Sequence, residues 1–499
     1  MTQWDAVLRG GRVIDPESGL DAVRDVAIDG GRIAAIGTGL EPGRQEADAR
    51  GQVVTAGFID IHSHSYDTGS LRLQALDGVT TALELESGVT PAADAYAAAA
   101  RQGRPVNYGF SASWAMARMS VLTGAPLDGS VRTFFRHSAE PGWQRAASRA
   151  ERDRILSRLE TDLADGALGI GILAGYAPAA DPGEYLEIAA LAARSGVPTY
   201  THSRDLAEFR PETLIDGAEE IVRAAGETGA HMHYCHVNST TLRHADRVLG
   251  LVERAQGEGA RVTTEAYPYG AGMTGIGAAF LAPERLGERG LEPSDLIYAP
   301  TGEQVSDITR LQELRAADPG GLVIIRHLDD SDAGDRALLL RYLLFPGAVV
   351  ASDAMPLTWL AGTGPKSADA GPETPDAWPL PPGAFTHPRT AGTFSRAVRM
   401  LTRDGGRLSL ADALARCSLR PARLLEEHVP AMRRKGRLAV GADADITVLD
   451  PETISDQATY TASTRPSAGI RHVLVNGSFV VRDENLVATA FPGRAVRAA

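Results

Sequence analysis

Residues 53–64 read V-V-T-A-G-F-I-D-I-H-S-H. The run Val53–Ile61 is apolar and rich in β-branched residues, so it reads as a buried strand. His62 and His64 follow at its carboxyl end. Residues two apart on a strand share a face, so these imidazoles can grip one metal ion together. Three further strand-like runs also close on a ligand type: Pro198–His202, His231–His236 and Ala348–Asp353. Ligands delivered from the ends of several strands are what the top face of a (β/α)8 barrel offers.

Working outward, the middle of the chain alternates strand-like and helix-like runs, the pattern of βα units and a parallel sheet. Strand candidates are Val53–His62, Thr80–Glu86, Val106–Ser111, Ala167–Ile172, Pro198–His202, His231–His236, Arg261–Ala266, Leu322–His327 and Ala348–Asp353. That makes nine for eight places, so either 261–266 or 322–327 belongs to an excursion. Helix-like segments include Ala92–Arg101, Arg149–Asp165, Glu184–Arg194 and Leu408–Cys417. Residues 5–15 and 23–37 instead read as an antiparallel meander, and Ala444–Leu449 and Ile470–Val481, with an Asn476-Gly477 turn, return to that style. The expected fold is an α/β (β/α)8 TIM-type barrel, residues 56–431, inserted in a small β-sandwich domain built from residues 1–55 plus 432–499. A Gly-, Pro- and acid-rich insertion around 270–345 is expected to act as a lid, with 361–386 as a second covering loop.

The 499 residues suffice for a barrel and a second domain. A net charge of −13 disfavours nucleic acid or an anionic membrane as partner. No run approaches the length of a membrane span, and the amino terminus shows no secretory signal. Cys235 and Cys417 are the only cysteines, which gives no disulfide framework and suits a cytoplasmic location.

His62, His64, His202, His236 and Asp353 form a nitrogen and carboxylate set suited to zinc, as one ion or two. Two adjacent ions need a bridging anion. A carboxylated lysine cannot serve, because Lys366 and Lys435 are the only lysines and neither lies on a candidate strand. The second strand, T-T-A-L-E-L-E-S-G, offers Glu84 and Glu86 on one face instead. A buried barrel carboxylate is costly unless it is paired or ligates a metal. Glu86, nearer the carboxyl end, is the expected bridge, and Glu84 the second choice. On the sixth strand His231 and His233 are expected to pack behind the site, Cys235 to sit in the core, and His327 to support from outside. A bound metal acidifies its water and polarises a carbonyl. Asp353 can accept the water's proton and return it to a departing nitrogen, acting as base and then acid. The set therefore supports hydrolysis of an amide-like bond to a small molecule.

These residues resemble the amidohydrolase superfamily, and within it the D-aminoacylase (N-acyl-D-amino-acid deacylase) family. The likeness runs through A-G-F-I-D-I-H-S-H, D-G-V-T-T, D-G-A-L-G-I-G, Y-T-H-S-R-D, E-A-Y-P-Y-G-A-G, A-S-D-A-M-P, T-H-P-R-T-A-G-T-F and G-A-D-A-D-I-T-V-L-D. The D-glutamate deacylase branch is similar through A-L-E-L-E, A-G-Y-A-P, H-V-N-S-T and V-P-A-M-R-R-K-G-R-L. The resemblance implies a zinc-dependent deacylase of N-acyl-D-amino acids, N-acyl-D-glutamate among them. It implies substrate contacts from Arg389, Tyr267 and Tyr176, with Arg389 clasping the α-carboxylate through two parallel hydrogen bonds. Three positions depart from the family pattern. Ser87 replaces a ligand cysteine, which hands that role to Glu86. Asn238 replaces a lysine, and Met273 replaces a serine used for the substrate carboxylate. Two other readings remain: hydrolysis of another linear or cyclic amide, and a catalytically silent amidohydrolase-like binding protein. The sequence leaves a homo-oligomer open.

Overall fold

The computed structural model describes residues 4–498, except 131–133, 135–136, 361–377 and 406. Eight parallel strands form the barrel: β1 (Phe58–Asp60), β2 (Val79–Val89), β3 (Asn107–Ser113), β4 (Ile170–Leu173), β5 (Thr199–His202), β6 (Met232–Tyr234), β7 (Val262–Ala266) and β8 (Val349–Val350). Each pairs with the next in chain order. The ring closes beyond the ends of β8 and β1, where Ser63 and Ala354 form a parallel bridge and the His64 N–H donates to the Ala354 carbonyl at 2.8 Å. Buried Asp60 reinforces the seam by accepting from the Ser352 N–H at 3.0 Å and Gln74 Nε2 at 2.6 Å. The predicted helices stand at Ala92–Gln102, Arg149–Ala164, Pro182–Ser195 and Leu410–Cys417. Ser148 and Glu151 cap the second of these reciprocally.

The opening run is not one strand. It breaks at Gly57: Val53–Ala56 joins a different sheet, and only Phe58–Asp60 enters the barrel. A side-chain carbon on Gly57 would lie 2.2 Å from Thr80 Cγ2, so only glycine lets the chain cross there. Val53–Ala56 pairs with Trp4–Asp15 on one side and Ile446–Leu449 on the other. It is thus the central element of a nine-stranded sheet drawn from both chain ends. Leu8, Val26, Val54, Ile446 and Leu474 share one apolar core, the interior of the β-sandwich. Asn476 and Gly477, both at positive φ, make the expected hairpin turn.

Of the nine strand candidates, Leu322–His327 is the surplus one. Leu322–Arg326 belongs to an antiparallel sheet with Ala271–Gly275, Leu296–Tyr298 and Glu303–Gln304. The excursion ends near residue 328. Helix Ala333–Leu344, expected within the lid, packs back on β7 as a barrel helix. Most of the expected second loop, 361–386, lies outside the described residues. No described helix is long and apolar enough to cross a membrane.

Candidate metal centre

Six of the sequence-predicted residues meet at the barrel mouth, all buried. His62 Nε2 and His64 Nε2 stand 3.3 Å apart. Glu86 Oε2 lies 3.2 and 3.5 Å from these nitrogens, and Asp353 Oδ1 3.6 and 3.4 Å from them. The other Glu86 oxygen, Oε1, faces His236 Nε2 at 2.6 Å and His202 Nδ1 at 3.1 Å. One carboxylate thus stands between two clusters, His62/His64 and His202/His236, and within each the donor atoms lie inside 4.8 Å of one another.

Outer carboxylates hold the imidazoles. Glu84 Oε2 takes His64 Nδ1 at 2.7 Å, while its Oε1 accepts the Ser87 and Gly88 N–H groups at 3.2 and 3.3 Å. Glu84 therefore stands behind His64, and Glu86 is the one at the centre. Glu265 Oε1 bonds His62 Nδ1 and accepts the His236 N–H at 3.1 Å, and its Oε2 meets His233 Nε2 at 3.0 Å. A carboxylate on Nδ1 fixes the tautomer and turns Nε2 toward the centre. Glu265 went unassigned in the sequence, although it opens the E-A-Y-P-Y-G-A-G motif.

The electrostatics fit a cation. Burial pulls the His62 pKa down, yet Glu265, Glu86 and Asp353 outweigh it and hold the group well above its ordinary value. His64 is raised likewise, against burial, by Glu84 and Asp353. Burial pushes Glu86 up, but His62, His236 and His202 hold it well below the usual carboxylate range. Buried nitrogen and carboxylate donors that draw positive charge this strongly suit a zinc-type ion.

Strand parity does not reach four of these residues: β1 stops at Asp60, short of His62 and His64. β6 stops at Tyr234, and His236 follows at φ 29°; β8 stops at Val350, and Asp353 sits at φ 51°. Positive φ is uncommon for residues other than glycine and concentrates at functional sites. Because alternation lapses past Tyr234, the Cys235 sulfur also comes within 4.8 Å of donor atoms on His62 and Glu265, closer to the centre than expected.

The expected substrate residues line or flank one cavity, with differences in detail. The Tyr176 hydroxyl is committed to Thr274 Oγ1 at 2.6 Å, so its ring, 4.8 Å from that of His202, is what faces the centre. Arg389 is fully buried at the start of helix Arg389–Arg399, its guanidinium 4.9 Å from the Tyr267 ring centre. Its Nε donates to the Asp353 carbonyl and its Nη2 to Asp353 Oδ1 at 2.9 Å. Only Nη1 lacks a partner, so the expected two-pronged grip on a substrate gives way to a single open nitrogen. Asn238 Oδ1 accepts the Tyr267 N–H at 3.3 Å, a backbone clamp where the family pattern has lysine. Arg289, unassigned in the sequence, lines the cavity while paired to Asp205. Its contribution depends on the excursion's path, which residue order alone does not reveal.

The sequence profile of the amidohydrolase family matches residues 45–481. This chain belongs to that family. Among curated relatives it is 27% identical to the N-acyl-D-glutamate deacylase of Alcaligenes xylosoxydans xylosoxydans, over 95% of this chain and 93% of the relative. It is 28% identical to the D-aminoacylase of the same organism, over 96% and 95% respectively. Among solved structures it matches N-acyl-D-glutamate deacylase from Bordetella bronchiseptica, complexed with zinc and a phosphonate mimic of the tetrahedral intermediate. That match has a TM-score of 0.76 and 25% identity, with both chains fully covered. A D-aminoacylase structure superposes with a TM-score of 0.76 at 22% identity, which speaks to fold.

Proposed function

We propose that this amidohydrolase is a zinc-dependent deacylase that hydrolyses N-acyl-D-amino acids, acidic ones such as N-acyl-D-glutamate foremost, to a carboxylate and the free D-amino acid. The observation that carries the reading is Glu86, one oxygen facing His62 and His64 and the other facing His202 and His236. These five residues with Asp353 would hold one or two ions. A bound zinc supplies Lewis acidity and lowers the pKa of water toward neutrality. The Asp353 carboxylate accepts the proton of the attacking water and delivers it to the nitrogen as the C–N bond breaks. Arg389 keeps that carboxylate ionised and aimed: burial raises the Asp353 pKa, but the adjacent guanidinium and His62 hold it below the ordinary value. Tyr267, with its pKa pushed up to about 12 by burial, stays a hydroxyl donor toward the substrate. Arg289 supports the acidic preference as the cation on the cavity wall. Residues 56–431 form the catalytic unit in this reading, and 1–55 with 432–499 the β-sandwich.

The test is a hydrolysis screen of zinc-loaded protein on paired D- and L-N-acetyl amino acids. Turnover of the D series, led by glutamate, is expected, with complete loss after chelation and recovery on adding zinc. Turnover by metal-free protein would sink the mechanism. Zinc-dependent cleavage of cyclic amides alone would move the substrate class. Zinc binding without any turnover would make the chain a silent binding protein.

A further inference from the structure

Where the family pattern offers a lysine and a serine, this chain has Asn238, tied to backbone, and Met273, whose side chain packs among Ile324, Met355 and Phe385. Beside them Gly272 leaves a small space. A side-chain carbon on Gly272 would lie 3.3 Å from Tyr267 Oη, 3.5 Å from His327 Nε2 and 3.6 Å from Arg389 Nη1. Three potential donors from three parts of the chain thus converge on one point at the cavity wall. Arg389 Nη1 is buried without a partner, and so is His327 Nδ1.

We propose that His327 is a specificity-determining residue that completes a cradle for the substrate's α-carboxylate, donating from Nε2 beside Tyr267 Oη and Arg389 Nη1 in the space left by Gly272. The proposal rests on the deacylase reading above. His327 is well placed to hold a fixed direction. It follows strand Leu322–Arg326, pairs its N–H with the Gly270 carbonyl at 3.0 Å, and stands two residues beyond Ile325, which faces Gly272 across the ladder. An unpaired ring nitrogen is better tolerated as a lone pair than as a buried N–H, so the tautomer with the proton on Nε2 is favoured. Burial, then Arg289 and Arg389, push its pKa down to about 3, so the ring is neutral at working pH. It can therefore add a directed bond to an ionised acceptor without adding charge.

The experiment compares wild type, His327→Phe and His327→Gln on N-acetyl-D-glutamate and on its α-carboxamide. His327→Phe should raise KM for the acid by about tenfold to a hundredfold, the worth of a hydrogen bond to a charged group. It should leave kcat nearly unchanged, and both parameters unchanged for the carboxamide. His327→Gln returns an N–H donor at similar reach and should restore most of the loss. Equal losses on acid and carboxamide, or no loss at all, would overturn the proposal. If wild type cleaves neither compound, the deacylase reading fails by itself. Calorimetric binding of D-glutamate and its α-carboxamide to the zinc-loaded protein then decides the cradle. A preference for the acid that vanishes in His327→Phe supports it; no preference, or one that survives the change, overturns it.

Discussion

Asp445 and Glu86 are each 3% exposed, yet their surroundings are opposites. Asp445, where the C-terminal strands meet the foot of β3, has a fixed donor on each oxygen. Its Oδ2 accepts from Lys435 Nζ at 2.6 Å and Asn107 Nδ2 at 2.9 Å, and its Oδ1 from the Asn476 N–H at 2.7 Å. Glu86, at the mouth, meets only imidazole nitrogens, each able to donate or accept. The first cluster is complete in itself; the second attracts further positive charge. Buried carboxylates are retained either as closed networks that fix structure or as open ones that hold a cation. The donors around them tell which.

The largest effect expected from breaking this contrast is at the mouth. Asp353→Asn should lower kcat by roughly 10²–10⁴, the range for a positioned acid–base group, while zinc content by atomic spectroscopy stays close to wild type. An unchanged kcat would remove Asp353 from the chemistry. At the foot, Lys435→Met leaves Asp445 and Asp443 without their ammonium, so unfolding free energy in denaturant titration should fall by about 3–5 kcal/mol. The kcat of the folded fraction should hold, because that network does not reach the site. Glu265→Gln sharpens the contrast from an intermediate position. It loosens His62 and His233 without touching the centre, so zinc affinity in a chelator competition should weaken by about 10–100-fold.

The smallest effect concerns Asp77, buried where it accepts the Phe394 and Ser395 N–H groups of the Arg389 helix. Burial raises its pKa to about 7, against hydrogen bonds that lower it. Between about pH 4 and pH 7 the folded protein holds a proton that the unfolded chain has released. Its contribution to stability is therefore full below about pH 4 and is lost as pH rises through 7. Asp77→Asn should flatten that slope, seen as a Tm change of about 4 °C across the window.

The sequence made legible whatever regular strand geometry governs. Glu86 and His202 stand on their predicted strands, and His62 and His64 stand at the mouth just after β1 has stopped at Asp60. The order of the barrel and the presence of one surplus run also followed from counting, while the choice between 261–266 and 322–327 came only from the sheet pairings. What escaped lies where alternation stops or long-range topology begins. Gly57 divides an apolar run between two sheets because of contact with Thr80, a neighbour 23 residues away in the chain. His236 and Asp353 reach the centre through left-handed backbone rather than parity. Arg289 and His327 enter the cavity only because the excursion folds as its own sheet over the mouth. The two-pronged role expected of Arg389 missed Asp353, whose carboxylate and carbonyl take up two of its nitrogens.

The strand before Gly57 has a consequence for how this protein is made. Val54 pairs with Val448, a partner separated by nearly 400 residues of chain. At a translation rate of about 5–20 residues per second, roughly 20–80 s pass between the appearance of one strand and the other. Throughout that interval one edge of Val53–Ala56 is unpaired, while the adjacent barrel strands are already being synthesised. Pairing at such sequence distance is slow even after release, because the loop must close first. The sheet that carries both chain ends should therefore be the last part to form, and nascent chains the most prone to pair with one another through that edge.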